Sequence, residues 1–176
     1  MNNTNVNFIE SIQSRFSYYK LLGDKTIAVL NEKELHWSPD QDSSSIATII
    51  NHIVGNMLSR WTNFYDEDGE KKWRERDLEF EVQNKSKDEL QDHWENGWTC
   101  LFKIINTLQP SDLNRKIKIR NESLFVLDAI NRQFAHYSYH IGQMVYVAKM
   151  IKKSDWKSLS IPKNKSSEFN KEKFKS

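Results

Sequence analysis

The sequence predicts an all-α protein, an up-and-down four-helix bundle with a short β element before helix four. Three observations carry the prediction. Four long stretches repeat apolar residues at three- and four-residue steps, the period of a helix with one buried face. Pro and Gly are few, three and five of 176 residues, which leaves little to interrupt long helices. Aromatics make up 12% of the chain, with six Trp and nine Phe, enough to fill one core in a domain of this length.

The first helix is expected from about Asn5 to Asn31, where Phe8, Ile12, Phe16, Tyr19, Leu22, Thr26 and Leu30 share a face. Residues 31–40 lose the period and end in the turn signal Ser38-Pro39-Asp40, so they read as a connection. Asp42 to Ser45 offers N-caps for a second helix over 46–64, with Ile46, Ile49, Ile50, Ile53, Met57, Trp61 and Phe64 inward. His52 falls on the flank of that stripe, on the side of Ser45, Asn56 and Ser59. The charged run 66–81, punctuated by Trp73 and Phe80, reads as a long connection able to fold over the bundle end.

Ser86 and Glu89 have capping-box spacing and open a third helix with Leu90, Trp94, Leu101, Ile104, Ile105 and Leu108 inward; Pro110 marks its end. Residues 116–120 alternate polar and apolar, which predicts a short strand or hairpin. The fourth helix runs over 126–151 with Ile130, Phe134, Tyr137, Ile141, Met144 and Ala148 buried, and with His136, His140 and Gln143 on the flank. The organisation is a bundle over 5–151 and a basic, loosely ordered tail over 152–176.

Charge and cysteine use limit the functions open to such a chain. The net charge is +2, but the tail carries eight Lys against Asp155, Glu168 and Glu172, so the body is mildly acidic. The tail has no Arg, and this balance argues against a nucleic-acid partner. Cys100, the single cysteine, excludes an internal disulfide framework and fits a reducing compartment. Without a basic start leading into an apolar run, or an apolar stretch of membrane-spanning length, the expectation is a soluble cytoplasmic protein with no membrane partner.

The chemistry concentrates on histidine. His136 and His140 lie one helical turn apart on one face, so their imidazoles can converge on one ion, and His52 on the second helix is the ready third ligand. Neutral imidazole suits Zn, Ni, Cu or Fe, and three such ligands leave at least one coordination position open for chemistry. Gln143 can orient a ligand from behind, or be an ordinary polar residue. Arg60, Arg74 and Arg76 can hold a substrate carboxylate, although pairing with Glu70, Glu75, Asp77 or Glu79 competes for them. Asn56 sits on the histidine side of its helix. Trp61 and Trp73 can wall a pocket or belong to the core. Asp68, Glu70 and Asp77 can approach from the connecting loop, yet no catalytic base is assigned. Cys100 reads as a core residue, and His36 and His93 are set aside as ligands.

His136-Tyr-Ser-Tyr-His140-Ile-Gly-Gln143, with His52 upstream on the second helix, resembles the DinB-like superfamily of metal-binding four-helix bundles. The resemblance spans about residues 5–151 and matches all three histidines. A narrower likeness, to an uncharacterised branch with no assigned reaction, lies in Gly55-Asn-Met-Leu-Ser-Arg60-Trp61-Thr-Asn-Phe64 and in 68–80. By resemblance to relatives that use mycothiol or bacillithiol, a divalent metal, Zn or Ni foremost, would bind a low-molecular-weight thiol at His52, His136 and His140. It would then present the thiolate to a small-molecule electrophile, as in detoxification. A metal-dependent hydrolase at the same site, or a non-catalytic binding module with a structural metal, are the alternatives. The superfamily also implies a homodimer.

Overall fold

The computed structural model describes residues 3–81 and 83–174, so the last two residues of the expected tail lie outside the described residues. Helix accounts for 65% of the chain, beside a small two-stranded sheet. Four helices are long: α1 (Asn3–Ala28), α3 (Ile46–Trp61), α4 (Lys87–Ile105) and α5 (Val126–Lys152); α2 (Glu32–Leu35) and α6 (Ser166–Lys173) are short. The strands β1 (Lys116–Ile119) and β2 (Glu122–Phe125) pair antiparallel between α4 and α5. Among the long helices, α1 packs on α4 and α5, and α3 packs on the same two.

These contacts close over an aromatic core. Phe16 of α1 is fully buried and meets Trp61, Trp98 and Phe134 edge-on, at centroid distances of 6.5, 6.5 and 5.5 Å. Edge-to-face pairs add about 0.5–1.5 kcal/mol each to the burial of their area. Tyr137 of α5 is buried in the same cluster, where its hydroxyl accepts from Trp61 Nε1 at 3.0 Å and donates to Asn56 Oδ1 at 2.9 Å. A third buried Trp, Trp94, donates from Nε1 to Asp24 at 2.7 Å, which joins α4 to α1.

Local signals set the boundaries. Ser45 caps α3 by accepting from the Thr48 N–H, and Ser86 with Glu89 forms the expected capping box at the start of α4. In the hairpin, Ile117 and Ile119 are buried while Lys116 and Lys118 are exposed, as the alternation predicts. Arg120 and Asn121 both have left-handed φ, 54° and 62°, as the central residues of a type I′ turn require.

Two segments differ from the expectation. Part of the connection after α1 is a helical turn, α2, because Asn31 accepts from the Glu34 N–H while the Glu34 carboxylate accepts from the Asn31 N–H. The tail contains α6, whose eight residues bury nothing and so leave no apolar period to read.

The charged run 66–81 is pinned down. Asp68 accepts from the N–H groups of Arg120 and Asn121 at 2.8 and 2.7 Å, and the Gly69 N–H donates to the Lys118 carbonyl at 2.8 Å. The run ends in a 3₁₀ turn, Arg76–Phe80, that packs on α3. Among the described residues no helix is long and apolar enough to cross a membrane.

Candidate metal centre

His52 sits in the second turn of α3 and is only 4% exposed; His136 and His140 sit one turn apart on α5, which packs against α3. The spacing of the α5 pair and the α3–α5 contact bring the three rings together. His136 Nε2 lies 3.2 Å from His52 Nε2 and 3.1 Å from His140 Nε2, and one nitrogen from each ring lies within 4.8 Å of the others. Ligand nitrogens at about 2.0–2.1 Å from a zinc ion stand roughly 3.3–3.4 Å apart at tetrahedral angles and roughly 2.9 Å apart at right angles. Both observed separations fall between those limits.

The protons on the rings reinforce the convergence. His52 Nδ1 is 2.9 Å from Glu79 Oε2, and His140 Nδ1 is 2.7 Å from Gln143 Oε1. A carboxylate and an amide oxygen only accept, so both rings carry their proton on Nδ1 and turn an Nε2 lone pair towards His136. A single proton on His136 Nε2 would have to serve two acceptors, whereas a cation at the centre engages all three lone pairs. Burial, joined by the neighbouring His140 and His52, pushes the His136 pKa down to about 3, and burial also lowers that of His140 despite its bond to Gln143. Both rings are held neutral, the form a metal requires. His136 Nδ1 is buried and has no hydrogen-bond partner among the described residues.

Glu79 is the residue that fixes His52. Its carboxylate is gripped by Arg74, from Nε at 2.7 Å and Nη2 at 2.9 Å, besides receiving the His52 proton. Burial opposes its ionisation, but the hydrogen bonds from His52 and Arg74 outweigh burial and hold its pKa below the usual value. Gly55 makes room for it, since a Cβ there would fall on Glu79 Oε1 and Cδ. Phe80 then covers the His52 ring at a centroid distance of 4.7 Å.

The other residues singled out by sequence scatter around this centre. Gln143 holds His140 and also donates to the Tyr139 hydroxyl at 3.1 Å. Asn56 and Arg60 line a cavity of about 210 Å³ that His52 and His136 wall on one side. Trp61 is in the core and connects to the site through the Tyr137 hydroxyl and Asn56. Trp73 is 57% exposed and does not line that cavity.

Of the loop carboxylates, Asp68 ties down the hairpin, Glu70 pairs with Arg60 and Arg120 at 3.0 Å each, and Asp77 faces solvent. Arg60, Arg74 and Arg76 all have acidic partners, Arg76 reaching Asp77 at 3.7 Å. Cys100 Sγ lies 3.6 Å from Thr62 Oγ1, His36 Nε2 lies 2.8 Å from the Lys85 carbonyl oxygen, and neither belongs to the histidine cluster.

Sequence reasoning left out Glu79 as the partner of His52, and Arg120, Arg132 and Gln133 as cavity residues. Gly55 was the available signal for Glu79, a glycine inside an apolar helix where something must approach closely. Among curated proteins none matches the chain. A family model described as protein of unknown function, DUF1572, matches residues 3–165, and the chain belongs to that family.

Proposed function

We propose that this protein is a divalent-metal enzyme built as a DinB-like four-helix bundle. In this reading a low-molecular-weight thiol of the bacillithiol type is transferred to an electrophilic small molecule. The observation that carries it is the meeting of three Nε2 atoms, two of them on rings whose Nδ1 is bonded to Glu79 or Gln143. A bound zinc or nickel ion supplies the positive charge that lowers the pKa of a coordinating thiol.

The chain's own groups do the rest. Glu79 and Gln143 set the tautomers of His52 and His140, and Phe80 shields one ring face from water. Thiol transfer is favoured over hydrolysis because the nearest carboxylate is a poor base: Glu79 is shared between His52 and Arg74, and its pKa is lowered. No acidic side chain lines the adjoining cavity. Cys100 is outside the cluster, so the thiol comes from solution. Association of two copies as a homodimer belongs to the same reading, and light scattering tests it separately.

Cobalt substitution tests the proposal. Adding bacillithiol, cysteine, glutathione or coenzyme A to the cobalt protein should change its visible absorption and introduce a sulfur-to-metal charge-transfer band for at least one of them. A spectrum that none of the four alters would rule out thiol transfer.

A further inference from the structure

The cavity beside the histidines carries an unusual charge. Five guanidinium groups line it, from Arg60, Arg74, Arg76, Arg120 and Arg132, and no carboxylate does. Glu70, Glu79 and Asp77, none of them in the lining, are the carboxylates they pair with. Arg60 and Arg120 both use Glu70, which Arg74 also approaches at 3.6 Å, and Arg74 takes Glu79. Arg76 pairs with Asp77 at 3.7 Å, an aspartate that is fully exposed, and its guanidinium lies over the Phe80 ring at 5.1 Å. Arg132 has no hydrogen bond or ion pair among the described residues.

Two deeply buried side chains in the lining are also incompletely satisfied. Arg60 is 5% exposed and its Nε–H has no partner; Gln133 is 3% exposed and its Oε1 has none. A buried polar atom left unpaired costs about 1–3 kcal/mol, so both side chains hold hydrogen-bonding capacity that the fold itself leaves unused.

From this geometry we infer that the cavity binds an oxyanionic group, a carboxylate or a phosphate, carried by the small molecule that reacts at the histidine centre. Guanidinium forks match both anions bidentately. Five cationic groups against three carboxylates, Glu70, Glu79 and the exposed Asp77, leave an excess of positive charge that a dianion answers, and a cavity of about 210 Å³ admits such a group on a small molecule. Because His52 and His136 form one wall, an anion seated among the arginines directs the remainder of its carrier towards the three Nε2 atoms. The inference rests on the proposed metal chemistry only for the identity of the reacting end.

Calorimetric titration of the full-length protein with inorganic phosphate and with succinate tests it. Ionic strength is held constant with sodium chloride, and both metal-free and zinc-loaded protein are used. Metal-free protein should bind one or both anions with a Kd of about 1 mM or tighter. Arg76→Ala/Arg132→Ala should weaken that binding by about tenfold or more, with zinc stoichiometry and thermal midpoint unchanged, because both side chains are exposed. Phosphate alone binding assigns a phosphoryl-bearing substrate, and succinate alone a carboxylic acid. Heat no greater than that of added chloride, or equal affinity in the double variant, overturns the inference. Failure of zinc to bind while phosphate or succinate still does would remove the metal reading and leave the anion site standing.

Discussion

His52 Nδ1 lies 2.9 Å from Glu79 Oε2, a contact between a ring in the second turn of α3 and a carboxylate 27 residues further along, at the end of a charged loop. It decides which nitrogen of His52 is free to bind a metal. Partners of this kind contribute about 10–100-fold to metal affinity. Glu79→Ala should therefore weaken zinc binding by about that factor in a competition titration with a chromophoric chelator. Unchanged affinity would mean that the loop does not support the centre.

The same contact makes opposite predictions for two glycines. A Cβ at Gly55 meets the Glu79 carboxylate, so Gly55→Ala has to displace Glu79 and should lower both zinc affinity and thermal midpoint. Gly142, on the exposed face of α5, has nothing within 4 Å of such a Cβ. There alanine should stabilise the helix by up to about 1 kcal/mol. Urea unfolding of the two variants side by side checks the sign of each.

Tyr137→Phe removes a single oxygen that serves two buried groups, Trp61 Nε1 and Asn56 Oδ1. Both would be left unpaired in a closed core, at a cost of about 1–3 kcal/mol each at most. The loss should appear as a lower urea midpoint with an unchanged helical signal.

Acid should destabilise the metal-free protein in two stages. Burial lowers the pKa of His93 to about 4 and that of His136 to about 3, against 6.5 for an ordinary histidine. Below pH 6.5 the unfolded chain binds protons that the folded chain refuses, so stability falls as pH drops through that window. Below about 4.5 the lowered pKa values of Glu79 and Glu70 act in the same direction, since their folded forms stay ionised while the unfolded ones take up protons. Urea midpoints in EDTA at pH 7.5, 6 and 5 should decline in order; a flat profile would show that these histidines are solvated.

Much of this arrangement was legible in the sequence because it is periodic. The stripe Ile46, Ile50, Ile53, Met57 and the stripe Ile130, Tyr137, Ile141, Met144 locate α3 and α5, and with them the three histidines that flank those stripes. Glu79 and the arginine-lined cavity were not legible, because a loop has no period and its charged residues look alike until it folds. Which of Asp68, Glu70, Asp77 and Glu79 faces inward is decided by the hairpin contacts of Asp68 and by the fork of Arg74, both tertiary. α6 escaped notice for a simpler reason, since it buries no residue.

Elemental analysis tests the central claim most directly, with the wild type beside His52→Ala, His136→Ala and His140→Ala after purification and zinc reconstitution. Wild-type protein should hold close to one zinc per chain, and each variant should lose most of it while keeping its far-ultraviolet helical signal. Equal zinc in the wild type and the three variants, or none in any of them, would contradict a three-histidine metal centre.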